Sequence, residues 1–96
     1  RVRLTAVEAE RAWQLRGLAV DPAMRGTGLG AAVLWAAEGH VLAAARRGES
    51  SPIVWCNARR AAVPFYERHG WLAVTQEFDV PTAGPHRRMV RVLGGA

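Results

Sequence analysis

The stretch of sequence that decides the fold is Val20-Asp21-Pro22-Ala23-Met24-Arg25-Gly26-Thr27-Gly28-Leu29-Gly30. Proline has no N–H for a strand ladder and restricts the residue before it, so Asp21-Pro22 predicts the end of a strand. Three alternating glycines follow, at the point where an alanine-rich helical segment begins. The first N–H groups of a helix lack partners within it and lie at the positive end of its dipole. Because glycine also lets a ligand approach the backbone closely, the stretch predicts a phosphate-binding strand–loop–helix unit.

The length and composition of the chain are those of one folded domain, residues 1–96. Half of the 96 residues are apolar and four are tryptophan, which favours a packed core over disorder. No apolar run approaches the roughly 20 residues that cross a bilayer, so no membrane partner is expected. Cys56 is the single cysteine, which excludes an internal disulfide; we expect a buried core thiol and a cytoplasmic location.

The charged residues favour an anionic partner and give no metal site. All 13 basic residues are arginine, and with eight acids they give a net charge of +5. That balance suits an anionic ligand or nucleic acid, or serves solubility alone. His40 is expected mid-helix, His69 at a helix end and His86 in a hairpin loop. Their spacing is not that of metal ligands, so no metal is predicted.

The pattern of apolar residues and breakers predicts elements in the order β-β-α-β-α-β-β. Strands joined through helices indicate a parallel pair with right-handed crossovers, and the last two strands indicate an antiparallel hairpin. Pro64 belongs in a first turn, so the second helix is expected to begin near Val63 and to end at Gly70, with Asn57 as its cap. The predicted strands are residues 1–5, 13–20, 53–56, 71–78 and 86–93, the first helix is 31–47, and a turn covers 81–85.

Three kinds of phosphate loop compete for the glycine-rich stretch. A P-loop needs a lysine before Ser or Thr at the helix start, and the chain has no lysine. The dinucleotide fingerprint fits Gly26 to Ala31, with Glu49 near the distance of a ribose-binding acid. That fingerprint follows its strand directly, whereas Asp21 to Arg25 intervene here.

The third reading is a resemblance to a known family. Arg25 to Gly30 has the pattern Arg or Gln, two residues, Gly, one residue, then Gly or Ala. Downstream, Ala62-Val63-Pro64-Phe65-Tyr66-Glu67-Arg68-His69-Gly70-Trp71 places a tyrosine on a helix before a glycine and an aromatic residue. With the strand exit at Leu18 to Pro22, these motifs resemble the GNAT family of acyl-CoA-dependent N-acetyltransferases. The resemblance covers residues 1 to 93 from that family's third strand onward, so the family's N-terminal part is expected to be missing.

The resemblance implies a fold and a set of site residues. The fold is a mixed α/β (α+β) sheet whose central parallel pair splays to admit acetyl-CoA as co-substrate. Tyr66 would protonate the leaving thiolate, and the N–H of Val20 would polarise the thioester carbonyl. The backbone of the glycine loop would bind the pyrophosphate beside Arg25, the central strand would pair with the pantetheine arm, and an asparagine would bond that arm. The implied cofactor-binding residues are Leu18, Ala19, Val20, Arg25, Gly26, Thr27, Gly28, Leu29, Gly30, Ala31 and Asn57.

The sequence leaves alternatives for the general base and for several residues near the site. Glu10 is a candidate general base, with a water chain or a merely solvated Glu10 as alternatives. The family often has Asn seven positions before the tyrosine, where this chain has Arg59. The hydrogen bond to the cofactor arm is therefore assigned to Asn57 instead. Arg59-Arg60 and Arg87-Arg88 are interpreted as solvated faces, or as contacts to the ribose phosphate of the cofactor.

Three functions follow as hypotheses. The first is acetyl transfer from acetyl-CoA to a small-molecule or peptide amine. The second is a non-catalytic acyl-CoA-binding module, and the third is a nucleic-acid-binding domain, motivated by charge alone and lacking any known motif. We therefore expect no nucleic-acid partner, and an exposed sheet edge would favour a homodimer.

Overall fold

The fold is given by a computed structural model that describes residues 11–15 and 28–94. Within residues 11–15 and 28–94, two complete α-helices and a short 3-10 turn connect the strands of one five-stranded sheet. The predictions for residues 1–5, for 16–27 and for Glu10 lie outside the described residues. The elements are β1 (Trp13–Gln14), α1 (Leu29–Arg46), β2 (Ile53–Arg59), the 3-10 turn (Arg60–Ala62), α2 (Val63–Arg68), β3 (Leu72–Ala73), β4 (Phe78–Val80) and β5 (Gly84–Val92).

The sheet is mixed, as predicted, and its centre is the antiparallel pair β2–β5. Seven register pairs join these strands, from Ile53 opposite Val92 to Arg59 opposite His86. β1 runs parallel to β2, and the N–H of Leu15 extends that pairing to the carbonyl of Trp55 at 2.7 Å. β3 and β4 both lie antiparallel to β5 on its other edge. The parallel pair and the closing antiparallel strands are therefore confirmed.

Helix α1 connects the two parallel strands and begins two residues earlier than predicted. Gly28 precedes it with a φ of 84°, a left-handed conformation that glycine adopts without steric cost. Leu34 and Val41 recur at helical spacing and are buried in one core cluster with Val54 of β2. Gly48, at a φ of 74°, follows the end of the helix, as expected for a C-terminal glycine.

The second helix begins and ends where the proline and the glycine predict, but Asn57 does not cap it. The helix spans Val63–Arg68, with Pro64 in its first turn, and Gly70 adopts a φ of 87°. No side chain caps its N-terminus. The predicted cap is wrong because β2 continues to Arg59, so that Asn57 lies inside the strand opposite Arg88.

The C-terminal strands differ from prediction in their bounds. Residues 71–78 contain the two-residue strand β3 and the first residue of β4 rather than one continuous strand. β5 begins at Gly84, so the turn is shorter than expected. His86 lies in the strand, 7% exposed, with its Nδ1 2.8 Å from the carbonyl oxygen of Gly84. The prediction that His86 occupies a hairpin loop is therefore wrong.

Both helices contribute to one core on one face of the sheet. Side chains alternate along a strand, so Val54, Cys56 and Ala58 point to the helices while Trp55, Asn57 and Arg59 point to the other face. The core cluster on this face consists of Leu34, Val41, Val54, Cys56, Ala58, Val63, Tyr66, Trp71, Met89 and Leu93. Ile53 and Val90 are also buried and lie on the other face by the same alternation. We call the two surfaces the helix face and the open face.

Candidate functional site

The start of α1 presents backbone donors and no negative charge. The first bond of the helix runs from the N–H of Ala32 to the carbonyl of Gly28, at 3.0 Å. By helix geometry, the N–H groups of Leu29, Gly30 and Ala31 have no acceptor within the helix. The first turn contains no acidic residue, and a Cβ built on Gly28 would meet nothing within 4 Å. The unpaired N–H groups and the open space at Gly28 are therefore suited to bind an anion.

The structure gives positions to only part of the predicted cofactor site. Gly28, Leu29, Gly30 and Ala31 form the end of the loop and the first turn of α1, and Asn57 lies in β2. The other predicted cofactor residues, Leu18, Ala19, Val20, Arg25, Gly26 and Thr27, lie outside the described residues.

Tyr66 of α2 is packed into the core against β2. Its residue is 5% exposed, and its ring lies 5.3 Å from the ring of Phe65 and 5.1 Å from that of Trp71. The hydroxyl shares a side-chain hydrogen bond with Cys56, which is 3% exposed. The prediction that Cys56 is a buried core thiol is confirmed. Its contact with Tyr66 was not predicted, because no sequence spacing reports which residue of a strand faces which residue of the next helix.

Burial keeps both groups of this pair protonated at neutral pH. Desolvation, assisted by the neighbouring Cys56, raises the pKa of Tyr66 well above its ordinary value near 10. Desolvation also raises the pKa of the Cys56 thiol to about 11, although its hydrogen bond with Tyr66 acts in the opposite direction. Cys56 is therefore a poor nucleophile, because the reactive form of cysteine is the thiolate. Tyr66 retains a proton that it can donate.

These shifts predict a loss of stability at alkaline pH. Both folded-state pKa values lie above the unfolded values of 9.0 for cysteine and 10.0 for tyrosine, so the folded state holds protons that the unfolded chain releases. The free energy of unfolding should be unaffected by this pair below pH 9 and should fall as the pH rises toward 11. The slope is at most about 1.4 kcal/mol per pH unit for each group.

Urea unfolding between neutral and strongly alkaline pH measures this slope. Cys56→Ala lowers stability at every pH by removing buried sulfur, so the comparison is between slopes rather than absolute values. The variant should have the shallower slope. Equal slopes in the two proteins would show that the thiol is already titrating normally in the fold.

Asn57 lies on the open face, where its side chain is hydrogen-bonded to Arg88. Its Oδ1 accepts a hydrogen bond from the Nε of Arg88 at 3.1 Å. The guanidinium carbon of Arg88 lies 4.4 Å from the centroid of a Trp55 ring. The structure therefore places Tyr66 and Asn57 on opposite sides of the same strand. The expected bond between Asn57 and the cofactor arm stays a prediction.

The histidines and arginines at the predicted positions make local contacts. His40 is exposed on α1 with its ring 5.1 Å from that of Trp13, and His69 follows the end of α2, as predicted. Arg60 forms an exposed ion pair with Glu77. Within residues 11–15 and 28–94, no cluster of three or more His, Cys, Asp or Glu side chains is arranged to hold a metal ion.

The family follows from comparison with known proteins. The acetyltransferase (GNAT) domain family matches residues 4–82 of this chain. The chain belongs to the GNAT family. Its relatives include the "Uncharacterized N-acetyltransferase YitI" of Bacillus subtilis (strain 168), which is 36% identical over 83 residues, covering 85% of this chain and 52% of the relative. This GNAT domain also resembles the crystal structure of a "putative N-acetyltransferase" from Lactobacillus plantarum, with a TM-score of 0.70 and 25% identity.

The comparisons confirm the GNAT-like fold and show how much of it this chain contains. The superposition covers 86% of this chain and 53% of the solved chain. This GNAT domain therefore spans about half the length of each of these two relatives. In the described part of the chain, no helix is both long and apolar enough to cross a membrane.

Proposed function

We propose that this GNAT domain transfers an acetyl group from acetyl-CoA to an amine by direct attack of the amine on the thioester. The observation that carries the proposal is the buried, protonated phenol of Tyr66, held against the strand that pairs in parallel with β1. Family membership supports the reaction class. It does not identify the acceptor.

The donor side of the proposed site is the start of α1. The N–H groups of Leu29, Gly30 and Ala31 would bind the pyrophosphate of coenzyme A, because they have no helical acceptor and lie at the positive end of the dipole. The open space at Gly28 fits a close ligand. The resemblance to the GNAT family adds Arg25, Gly26 and Thr27 to this anion site. It also assigns Leu18, Ala19 and Val20 to the pantetheine arm, with the N–H of Val20 facing the thioester oxygen.

Tyr66 supplies the proton that the reaction needs. The bound thioester supplies an acyl carbon that is open to nucleophilic attack. The amine nitrogen forms a bond to that carbon, the carbon–sulfur bond breaks, and the Tyr66 hydroxyl protonates the departing sulfur. The proton lost by the amine passes to a base, for which Glu10 and a water chain are the candidates. Burial beside Cys56 raises the pKa of Tyr66, so the hydroxyl is protonated before the reaction begins.

A non-catalytic acyl-CoA-binding module is the second candidate. The observation that favours it is the start of α1, because its unpaired backbone N–H groups and lack of acidic residues suit the binding of an anion whether or not transfer follows. A chain with the donor site alone would bind acetyl-CoA and transfer nothing.

Calorimetry with acetyl-CoA, followed by turnover over a panel of amines, tests both candidates. We expect one-to-one binding in the micromolar range and release of free coenzyme A thiol in the presence of an accepted amine. The buried Cys56 is the single cysteine of the chain, so a thiol reagent reports released coenzyme A with little background. Binding without turnover would favour the module, and the absence of binding would reject both candidates.

A further inference from the structure

A fixed arginine lies on the open face, hydrogen-bonded to Asn57. Arg88 of β5 stacks over Trp55, 4.4 Å from the ring centroid, and donates from Nε to Asn57 at 3.1 Å. Its backbone N–H donates to Thr75 Oγ1 at 3.0 Å, which fixes the strand beneath it. The guanidinium is thus held on one face by an aromatic ring and at one nitrogen by an amide. Little side-chain freedom remains to be lost when a ligand binds it.

The terminal nitrogens of Arg88 are available to an anion. Within residues 11–15 and 28–94, the ion pairs are Arg47–Glu49, Arg60–Glu77 and Arg91–Glu38, so no carboxylate neutralises Arg88. Because Nε is engaged by Asn57, the two terminal NH₂ groups form the free edge of the guanidinium. That edge matches the two oxygens of a carboxylate, which accept parallel hydrogen bonds from such a fork.

The position of Arg88 relative to Tyr66 indicates which reactant it serves. Cys56 and Asn57 are consecutive in β2, so their Cα atoms lie about 3.8 Å apart while their side chains point to opposite faces. Cys56 holds Tyr66 on the helix face, and α1, whose start is the proposed phosphate site, packs on that face too. The acid and the donor phosphates thus lie on one side of β2 and Arg88 on the other. The helix face of β2 is filled by the core cluster, whereas Asn57 and Arg88 are exposed, so an amine would reach the thioester from the side of Arg88.

We propose that Arg88, positioned by Trp55 and Asn57, binds a carboxylate of the acetyl acceptor. The inference rests on the proposed acetyl transfer and adds the class of acceptor, an amine that also carries an acid group. The same guanidinium chemistry would suit the ribose phosphate of coenzyme A. The position of α1 places the proposed phosphate site on the helix face, away from Arg88. The test below distinguishes the ribose phosphate of coenzyme A from a carboxylate of the acceptor.

Matched acceptors provide the first arm of the test. The common free L-amino acids are each compared with their own amide as acetyl acceptors, in wild type, Arg88→Gln and Arg88→Lys. Arg88→Gln should lower kcat/KM for the free acids by about 10- to 100-fold, as expected for a charge-assisted hydrogen-bonded pair, and should leave the amides unchanged. Arg88→Lys, which keeps the charge but not the fork, should fall between wild type and Arg88→Gln. Arg46→Gln removes the same charge from the exposed last turn of α1 and should behave as wild type.

A binding arm keeps this inference separate from the proposed reaction. In ¹⁵N-labelled protein saturated with coenzyme A, a free amino acid should shift the indole N–H signal of Trp55 in wild type and not in Arg88→Gln. That result without any acetyl transfer would retain the carboxylate site and reject the proposed reaction. Equal effects of Arg88→Gln on the acids and on their amides, or an equal shift of the Trp55 signal in wild type and Arg88→Gln, would overturn the inference. So would a loss of affinity in Arg88→Gln for coenzyme A that is absent for dephospho-coenzyme A, because it would assign Arg88 to the ribose phosphate.

Discussion

Replacing Tyr66 with phenylalanine is expected to lower kcat for acetyl transfer by about 10²- to 10⁴-fold, the range that general acid catalysis contributes. The ring and its packing against Phe65 and Trp71 are retained, and only the hydroxyl bonded to Cys56 is lost. Affinity for acetyl-CoA should therefore change little, because the proposed anion site at the start of α1 is untouched. Steady-state kinetics and calorimetry with acetyl-CoA give the two quantities separately.

The pH dependence of kcat in wild type gives a second test of Tyr66 as the general acid. A general acid must be protonated, and burial raises the pKa of Tyr66 above its ordinary value near 10. Ionisation of Tyr66 should therefore cause no loss of kcat below that pH. Since Tyr66 is the single tyrosine of the chain, tyrosinate absorbance reports its ionisation directly. An alkaline fall in kcat that coincides with tyrosinate formation would identify the acid.

Phe65→Leu is the matched control for Tyr66→Phe. It alters a half-buried neighbour on the same helix and should leave kcat near that of wild type. If Tyr66→Phe instead destroys acetyl-CoA affinity or the folded state, the tyrosine is structural. If kcat is unchanged, another group protonates the sulfur.

Gly28→Val is expected to have the second largest effect, a rise of about 100-fold or more in the Kd for acetyl-CoA. Gly28 has a φ of 84°, which costs a residue with a side chain roughly 1–2 kcal/mol, and valine adds branching at Cβ. Nothing in the free protein lies within 4 Å of the added Cβ, so the side chain would occupy the space proposed for the pyrophosphate. Calorimetry with acetyl-CoA measures the change.

Gly48→Val separates this effect from backbone strain. Gly48 follows the other end of α1 with a φ of 74°, and a Cβ there also meets nothing within 4 Å. It should therefore lose similar stability in urea while binding acetyl-CoA as wild type does. Equal losses of affinity in the two variants would mean that strain in α1, rather than obstruction of the anion site, weakens binding.

The features that sequence predicted well are those fixed by local chemistry. Pro64 and Gly70 delimit α2 because proline suits a first turn and glycine adopts positive φ at a helix end. The parallel pairing of β1 with β2 followed from the helix between them.

The failures depend on partners that are distant in the chain. β2 extends through Asn57 to Arg59 because β5 supplies a hydrogen-bonding partner at each step, from Arg88 to His86. Asn57 and Arg59 are exposed polar residues on the open face, so the end of β2 lacks the alternation of apolar residues that predicts a strand. The local pattern therefore predicted a loop, with Asn57 as a helix cap. The contact of Cys56 with Tyr66 and the stacking of Arg88 on Trp55 likewise depend on how the elements assemble.

One contact between α1 and the segment that follows α2 has a consequence for how this sequence can change over generations. The indole N–H of Trp71, a residue 1% exposed, donates to Glu38 of α1 at 2.9 Å, and the same indole packs against the Tyr66 ring. A buried indole N–H that loses its acceptor destabilises the fold, and a largely buried carboxylate that loses its donor does the same. Neither position can therefore drift alone without weakening the support of Tyr66. We therefore expect Glu38 and Trp71 to be kept or replaced together among descendants of this chain.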